Sequence, residues 1–328
     1  MSLAQRIDTL RASRGFAHKT DIAGVVGALA RALPNGAADL AQAVAVGDDC
    51  AAIADGDGYL LFAIEGLVAD FVEAMPWFAG YSGVMVNLSD IYAMGGRPIA
   101  VVDALWSDGL DAARAVLDGM AAASAAYGVP IVGGHSNARA GGAQLAVAVL
   151  GRARRLLSSF AARPGDRLLM AVDLRGRFED PYPFWNASVG APSPRLRGDL
   201  ELLSALAEDG LCDAAKDISM AGTIGTALML LEASQVGACI DLDAIPRPDG
   251  VDLDRWLAAF PSFGFLMSVR EAQADAVSAR FAARGLACAA IGTVDATRDV
   301  VLTEGGERAR LWDLRETPFI GAAPGAAR

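Results

Sequence analysis

Carboxylates are the residues of this chain whose spacing best suits chemistry. Gly47-Asp48-Asp49-Cys50 puts two adjacent acids on a glycine turn before the small, apolar stretch Ala51-Ala52-Ile53. Such a pair suits a hard cation such as Mg²⁺, which takes one or two protein oxygens alongside phosphate oxygens; it also reads as a solubilising turn. Glu65 closes the apolar run Tyr59–Ile64 and precedes Gly66. That is where open α/β sheets place ligand contacts, and equally where a plain strand end meets solvent. In Val84–Met94, Asn87 and Asp90 stand at i and i+3, hence on one face of a helix flanked by Val84, Val86, Leu88 and Ile91. A lone buried carboxylate is costly unless it is paired or metal-bound. That face meets either solvent or a ligand, and the apolar flanks favour the ligand.

Three further segments have both a chemical and an ordinary reading. Gly133-Gly134-His135-Ser136 follows Ile131-Val132, so a strand runs into a glycine turn whose N–H groups can cradle phosphate; the competitor is a plain hairpin. Asp217-Ile218-Ser219-Met220-Ala221-Gly222 precedes the helix Met220–Ala233. It is either a set of N-cap residues or a metal or phosphate site at a helix start. Arg14–Asp21 is a basic segment in an acidic protein, in which Lys19 reaches a γ-phosphate or belongs to a solvated arm. The P-loop, the strand–G-x-G-x-x-G–helix fingerprint and the G-x-S-x-G elbow are missing, and two histidines cannot build a multi-His metal centre.

The elements that must hold these residues follow from length and pattern. At 328 residues, 53% hydrophobic and 20% charged, the chain has material for two packed domains. Twenty-eight basic against 39 acidic residues give a net charge of −11, which argues against nucleic acid as a partner. The four cysteines form no C-x-x-C pair, no apolar run approaches a membrane span, and the first residues lack a signal peptide's apolar core. The expectation is a cytoplasmic protein with no membrane partner.

Strands are expected at Tyr59–Ile64, Ile99–Leu105 and Gln144–Leu150, with helices at Trp77–Met94 and Asp111–Tyr127. After the charged and turn-rich Arg152–Arg167, the alternation resumes. Helices are expected at Asp199–Ala207, Met220–Ala233 and Glu271–Arg284, and strands at Leu168–Val172, Ala238–Leu242, Phe265–Val269, Ala287–Val294 and Val300–Thr303. Two mixed α/β (α+β) domains are implied, residues 1–155 and 156–320, with 321–328 a disordered tail. Phe178–Asn186, aromatic and broken by Pro181 and Pro183, reads as a lid or substrate loop, with Arg195 and Arg197 available to an anion.

Taken together, GDDCAAI, NLSDIYAMGGRP, VGGHS and DISMAGTIGTALMLLEASQVGA resemble the aminoimidazole ribonucleotide synthetase-related superfamily, which includes selenophosphate synthetase, thiamine-monophosphate kinase and a hydrogenase maturation protein. The motifs are most similar to selenophosphate synthetase. The resemblance implies a homodimer whose N-terminal domains pair in a β-barrel, and an ATP site bridged by Mg²⁺. By position it implies Asp49, Asp90 and Asp217 as metal ligands. It places Gly47, Asp48, Glu65, Asn87, Gly133, Gly134, His135 and Ser136 at the nucleotide and Lys19 at its phosphates, with Lys19, Asp49 and Asp217 serving catalysis. The departures matter too. Gly15-Phe16-Ala17-His18 lacks the thiol that selenophosphate synthetase carries before its lysine, and the chain ends Ala326-Ala327-Arg328 without the maturation protein's cysteine. The implied activity is ATP- and Mg²⁺-dependent phosphoryl transfer to a small-molecule acceptor, of kinase or synthetase type. The alternative is a nucleotide-binding accessory protein without turnover.

Overall fold

The chain opens with a helix whose apolar residues fall on one stripe. α1 (Leu3–Arg11) buries Leu3, Ile7 and Leu10, and its start is closed by a capping box. The Ser2 hydroxyl accepts from the Gln5 N–H while the Gln5 side chain accepts from the Ser2 N–H. α2 (Arg14–Ala32) follows. Arg14–Asp21, the basic segment read either as a phosphate contact or as a solvated arm, is the start of a helix, anchored by Phe16 at 1% exposure. The computed structural model describes residues 1–32 and 46–321, so the expected tail beyond Gly321 lies outside the described residues.

Two compact units share the chain in alternating segments. The inserted unit is Asp49–Arg155 with Gly190–Ala205; the terminal unit takes the described residues of Met1–Asp48, Leu156–Val189 and everything from Leu206 onward. Both mix helices with sheet, so the fold is α/β as the alternation implied.

The inserted unit runs β1 (Ala51–Asp55), β2 (Gly58–Leu67), α3 (Ala69–Ala74), α4 (Pro76–Ala93), β3 (Arg97–Asp108), α5 (Leu110–Tyr127), β4 (Ile131–Asn137) and β5 (Arg139–Ala153). Its sheet has the order β1-β2-β5-β3-β4. β4 lies parallel to β3, with α5 as the crossover, while β1–β2, β2–β5 and β3–β5 are antiparallel. Pro76 starts α4 at a position where no N–H is needed, and Gly128 ends α5 in the left-handed region.

α4 covers one face of this sheet, packing Gly83 onto Val147 and Leu145 and Ile91 onto Gly151. It also crosses α5 at two glycines. A Cβ on Gly80 would stand 2.0 Å from the Val116 carbonyl oxygen, and one on Gly119 1.9 Å from that of Trp77, so only glycine lets the two backbones approach this closely. The other face is apolar and open. Phe62 pairs with Leu150 and Ile64 with Ala148, which pairs in turn with Val102. Phe62, Ile64, Val102 and Leu150 are 50%, 65%, 40% and 39% exposed.

The terminal unit continues with β6 (Asp166–Val172), β7 (Arg177–Phe178), β8 (Phe184–Asn186), α6 (Ser193–Glu208, whose first turns lie in the inserted unit), β9 (Ala214–Asp217), α7 (Gly222–Ala233), β10 (Gly237–Asp241), α8 (Leu253–Leu257), β11 (Phe260–Pro261), β12 (Gly264–Arg270), α9 (Ala274–Ala282), β13 (Ala287–Asp295), β14 (Asp299–Glu304) and β15 (Glu307–Asp313). A mixed sheet of order β15-β14-β10-β13-β6-β12-β9 carries a core that includes Leu168, Met170, Leu228, Leu231, Ile240 and Leu266. α1 is tied to this unit by Arg6, which bonds Glu304 at 2.9 and 3.0 Å and also pairs with Asp254. The aromatic segment Phe178–Asn186 forms β7 and β8, which join β11 in a small sheet where Trp185 packs edge-on to Trp256 at 5.2 Å. Among the described residues, no helix is long and apolar enough to cross a membrane.

Candidate functional site

In the inserted unit, the loop before β1 and the middle of α4 bring acids together. Asp49 and Asp90 each offer a carboxylate oxygen within 4.8 Å of the other's. The face read from the i, i+3 spacing is buried, with Asn87 at 0% and Asp90 at 6% exposure. Asn87 donates from Nδ2 to the Gly83 carbonyl at 2.7 Å, but its buried Oδ1 has no hydrogen-bond partner among the described residues. An unsatisfied buried oxygen costs about 1–3 kcal/mol, and native structures keep few of them without a ligand or water to complete the bond. Two carboxylate oxygens and a neighbouring amide oxygen are the hard donor set that Mg²⁺ prefers. The residues present therefore fit that ion.

A second feature is a row across four strands on the face that α4 covers. Glu65 in β2 stands opposite Val147 in β5, Val147 opposite Asp103 in β3, and Asp103 opposite Gly134 in β4. Glu65, expected at a strand end, is inside β2, which continues through Leu67. Asp103 is a polar residue that the motif reading passed over. Its signal was a single acid in the apolar run Ile99–Leu105. Burial raises its carboxyl pKa above the ordinary value, and its own backbone N–H is the only group that offsets this among the described residues.

Gly133-Gly134-His135-Ser136, expected as a turn, is strand. β4 runs from Ile131 to Asn137 and pairs with β3 throughout this stretch. Gly134 lies close against Asp103 of β3, whereas a Cβ on Gly133 would meet nothing within 4 Å. Pairing on one side only leaves β4 an edge strand, exposed from Gly133 through Ser136. Side chains alternate along a strand, so His135 lies on the face opposite Gly134 and Asp103, where its ring is 6.1 Å from that of Trp106.

In the terminal unit, Gly47 takes a φ of +126° and Asp48 is engaged in fastening its loop. The Asp48 carboxylate accepts from the Ser158 hydroxyl at 2.7 Å, the Ser159 hydroxyl at 2.6 Å and the Ser159 N–H at 3.1 Å. Lys19 is half-exposed on α2, and His18 is exposed, accepting from Arg14 Nε at 3.3 Å. The start of α2 is docked firmly. Phe16 meets Phe319 and Trp312 edge-on at 5.1 and 6.3 Å, and Gly15 lies against the backbone of Met220 and Ala221. The helix that carries Lys19 is thereby seated on the segment that follows Asp217.

Asp217 ends β9, 5% exposed and paired in register with Phe265. Capping does not explain the acid and serine there, because α7 starts at Gly222 with Ala221 as N-cap and no side-chain cap bond. The buried Ser219 hydroxyl has no hydrogen-bond partner among the described residues. Like Asn87 Oδ1, it is a buried polar atom in these motifs without a hydrogen bond.

Comparison with known proteins bears on both parts of the chain. The family described as "AIR synthase related protein, N-terminal domain" matches residues 47–153, and "AIR synthase related protein, C-terminal domain" matches residues 188–304. An uncharacterized protein of Synechocystis sp. is 51% identical over 281 residues, covering 85% of this chain and 87% of that one. Among solved structures, Thermotoga maritima PurL complexed with ATP aligns with a TM-score of 0.70 at 20% identity, covering 84% of this chain and 46% of its own. AaThiL complexed with AMPPCP and TMP aligns with a TM-score of 0.64 at 19% identity, covering 81% and 89%. At these identities the two structures are evidence of fold.

Proposed function

This chain belongs to the AIR synthase related protein family, and from that premise we propose that it binds ATP with Mg²⁺ and transfers the γ-phosphoryl group to a small-molecule acceptor. The observation that carries this reading is the meeting of the Asp49 and Asp90 carboxylates, with the unsatisfied Asn87 Oδ1 three residues before Asp90 on the same helix. The nucleotides in the PurL and ThiL structures support it by fold.

Asp49 and Asp90 would hold the cation, with Asp217 as the third carboxylate. Mg²⁺ held there would supply positive charge against the phosphate oxygens. Lys19, on a helix end fixed by Phe16, pairs with the γ-phosphate. The edge of β4 from Gly133 to Ser136 offers N–H groups to phosphate oxygens, and Glu65 lines the nucleotide side. Gly47 and Asp48 set the loop that presents Asp49. The open apolar face of the inserted unit supports a homodimer in which the two sheets close on each other as a barrel. A cytoplasmic location accords with the uncoupled cysteines.

Calorimetric titration with ATP, with and without Mg²⁺, tests this. Binding should require Mg²⁺, and Asp49→Asn and Asp217→Asn should each weaken it tenfold or more, about 1.4 kcal/mol. Wild-type affinity in both variants would overturn the site. Mg²⁺-dependent binding without turnover over a broad acceptor panel would instead identify an accessory nucleotide-binding protein.

A further inference from the structure

Asp103 has no structural use that its surroundings explain. Val101, Leu105 and Val147, its neighbours on the covered face of the sheet, are 0%, 2% and 0% exposed. Elsewhere the chain partners the carboxylates it buries: Arg270 stands 3.1 Å from Asp166 and Arg175 2.7 Å from Asp173, while Glu232 accepts from the backbone N–H groups of Phe319 and Ile320 at 2.8 and 2.7 Å. Among the described residues no such cation faces Asp103. The half-buried side chain instead lies over Gly134. A Cβ at position 134 would lie 2.4 Å from Asp103 Oδ1 and 2.8 Å from its Cγ, so the glycine is what admits the carboxylate toward the exposed edge of β4. The carboxylate is thus walled by hydrocarbon on the strand side and open on the side of the Gly133–Ser136 edge.

We infer that Asp103 is the general base of the reaction, taking the proton from a neutral O–H or N–H acceptor as it attacks the γ-phosphate. The inference rests on the nucleotide reading given above. In the step, a lone pair of the acceptor oxygen or nitrogen forms a bond to the γ-phosphorus. The bond from that phosphorus to the bridging oxygen breaks, its electron pair leaves on ADP, and the acceptor's proton passes to a carboxylate oxygen of Asp103. A proton affinity raised by burial suits this role better than that of a solvated carboxylate. The acceptor class follows: a phosphate or carboxylate acceptor already carries its attacking charge and has no proton to give, whereas an alcohol, amine or water requires a base.

Water is the smallest such acceptor, so ADP formation from Mg·ATP in buffer is the probe, measured on the full chain beside Mg·ATP binding by calorimetry. Asp103→Asn, which keeps the shape, should bind Mg·ATP like the wild type and lose ADP formation about 100-fold or more. Asp103→Ala should lose it likewise and regain part of it on addition of formate, a small carboxylate that fits the vacated space; a merely structural role would not respond to formate. Undiminished ADP formation in Asp103→Asn would overturn the assignment. So would a wild type that binds Mg·ATP but forms no ADP, because a base in this position should serve water. Failure of the wild type to bind Mg·ATP at all would instead overturn the nucleotide reading beneath it.

Discussion

Asn87 and Asp103 are polar groups kept where they weaken the fold, and Asp103 allows the weakening to be measured. Its folded-state pKa is raised, so folding favours the protonated form. The stability this group contributes is present below its unfolded pKa and is lost as pH rises through the raised folded value. Asp103→Asn cannot ionise. It should melt at or above the wild-type temperature at pH 7, with the difference closing as pH falls into the carboxylate range. A variant clearly less stable than wild type at pH 7 would mean that the charged side chain holds structure instead. Motif reading reached Asn87 and Asp90 because acids and amides at helical spacing among Val, Leu and Ile stand out. It gave Asp103 no notice, since one acid in a strand is ordinary until its cross-strand neighbours are known. Asp48 was read as half of a cation-binding pair, whereas its serine partners lie 110 and 111 residues away, beyond the reach of any local pattern.

Among the elements, α4 and α5 were legible almost to the residue, because Pro76, Gly95-Gly96 and Gly128 punctuate a clear helical period. β4 was not. Two glycines after a short apolar pair are the signature of a turn, and only the pairing with β3 makes them strand. The start of α2 was equally hidden, because the hydrophobic partners of Phe16 come from the other end of the chain. The glycine crossing of α4 and α5 supports a prediction of its own. Gly119→Ala puts a methyl group into the Trp77 carbonyl and forces the helices apart. It should destabilise the protein by about 1–3 kcal/mol, the usual cost of overpacking a close contact, despite alanine's better helix propensity. Urea denaturation checks this, and a stabilised variant would show that the crossing yields freely.

For the whole molecule, the proposed dimer rests on the open face of the inserted unit's sheet. An apolar sheet face this exposed is the kind of patch that interaction surfaces use. Sedimentation should show a dimer. Replacing Phe62 and Ile64 together by lysine should yield a monomer that still binds Mg·ATP, if the face serves assembly and not chemistry. Length and the charged run near Arg152–Arg155 suggested a division at residues 155/156, whereas the two compact units interleave their segments. That α1 and α2 belong with the later strands, and Gly190–Ala205 with the earlier ones, was not legible, because composition does not record which partner a segment packs against.

The same interleaving sets a timetable for synthesis. α1 leaves the ribosome 298 residues before Glu304, the acid that receives its buried Arg6. At about 5–20 residues per second the delay is roughly 15–60 s. Throughout that interval Leu3, Ile7 and Leu10 have no core to enter, while the inserted unit can close as soon as Ala205 has emerged. The nascent chain therefore carries a complete inserted unit while α1 still waits for the strand that receives Arg6.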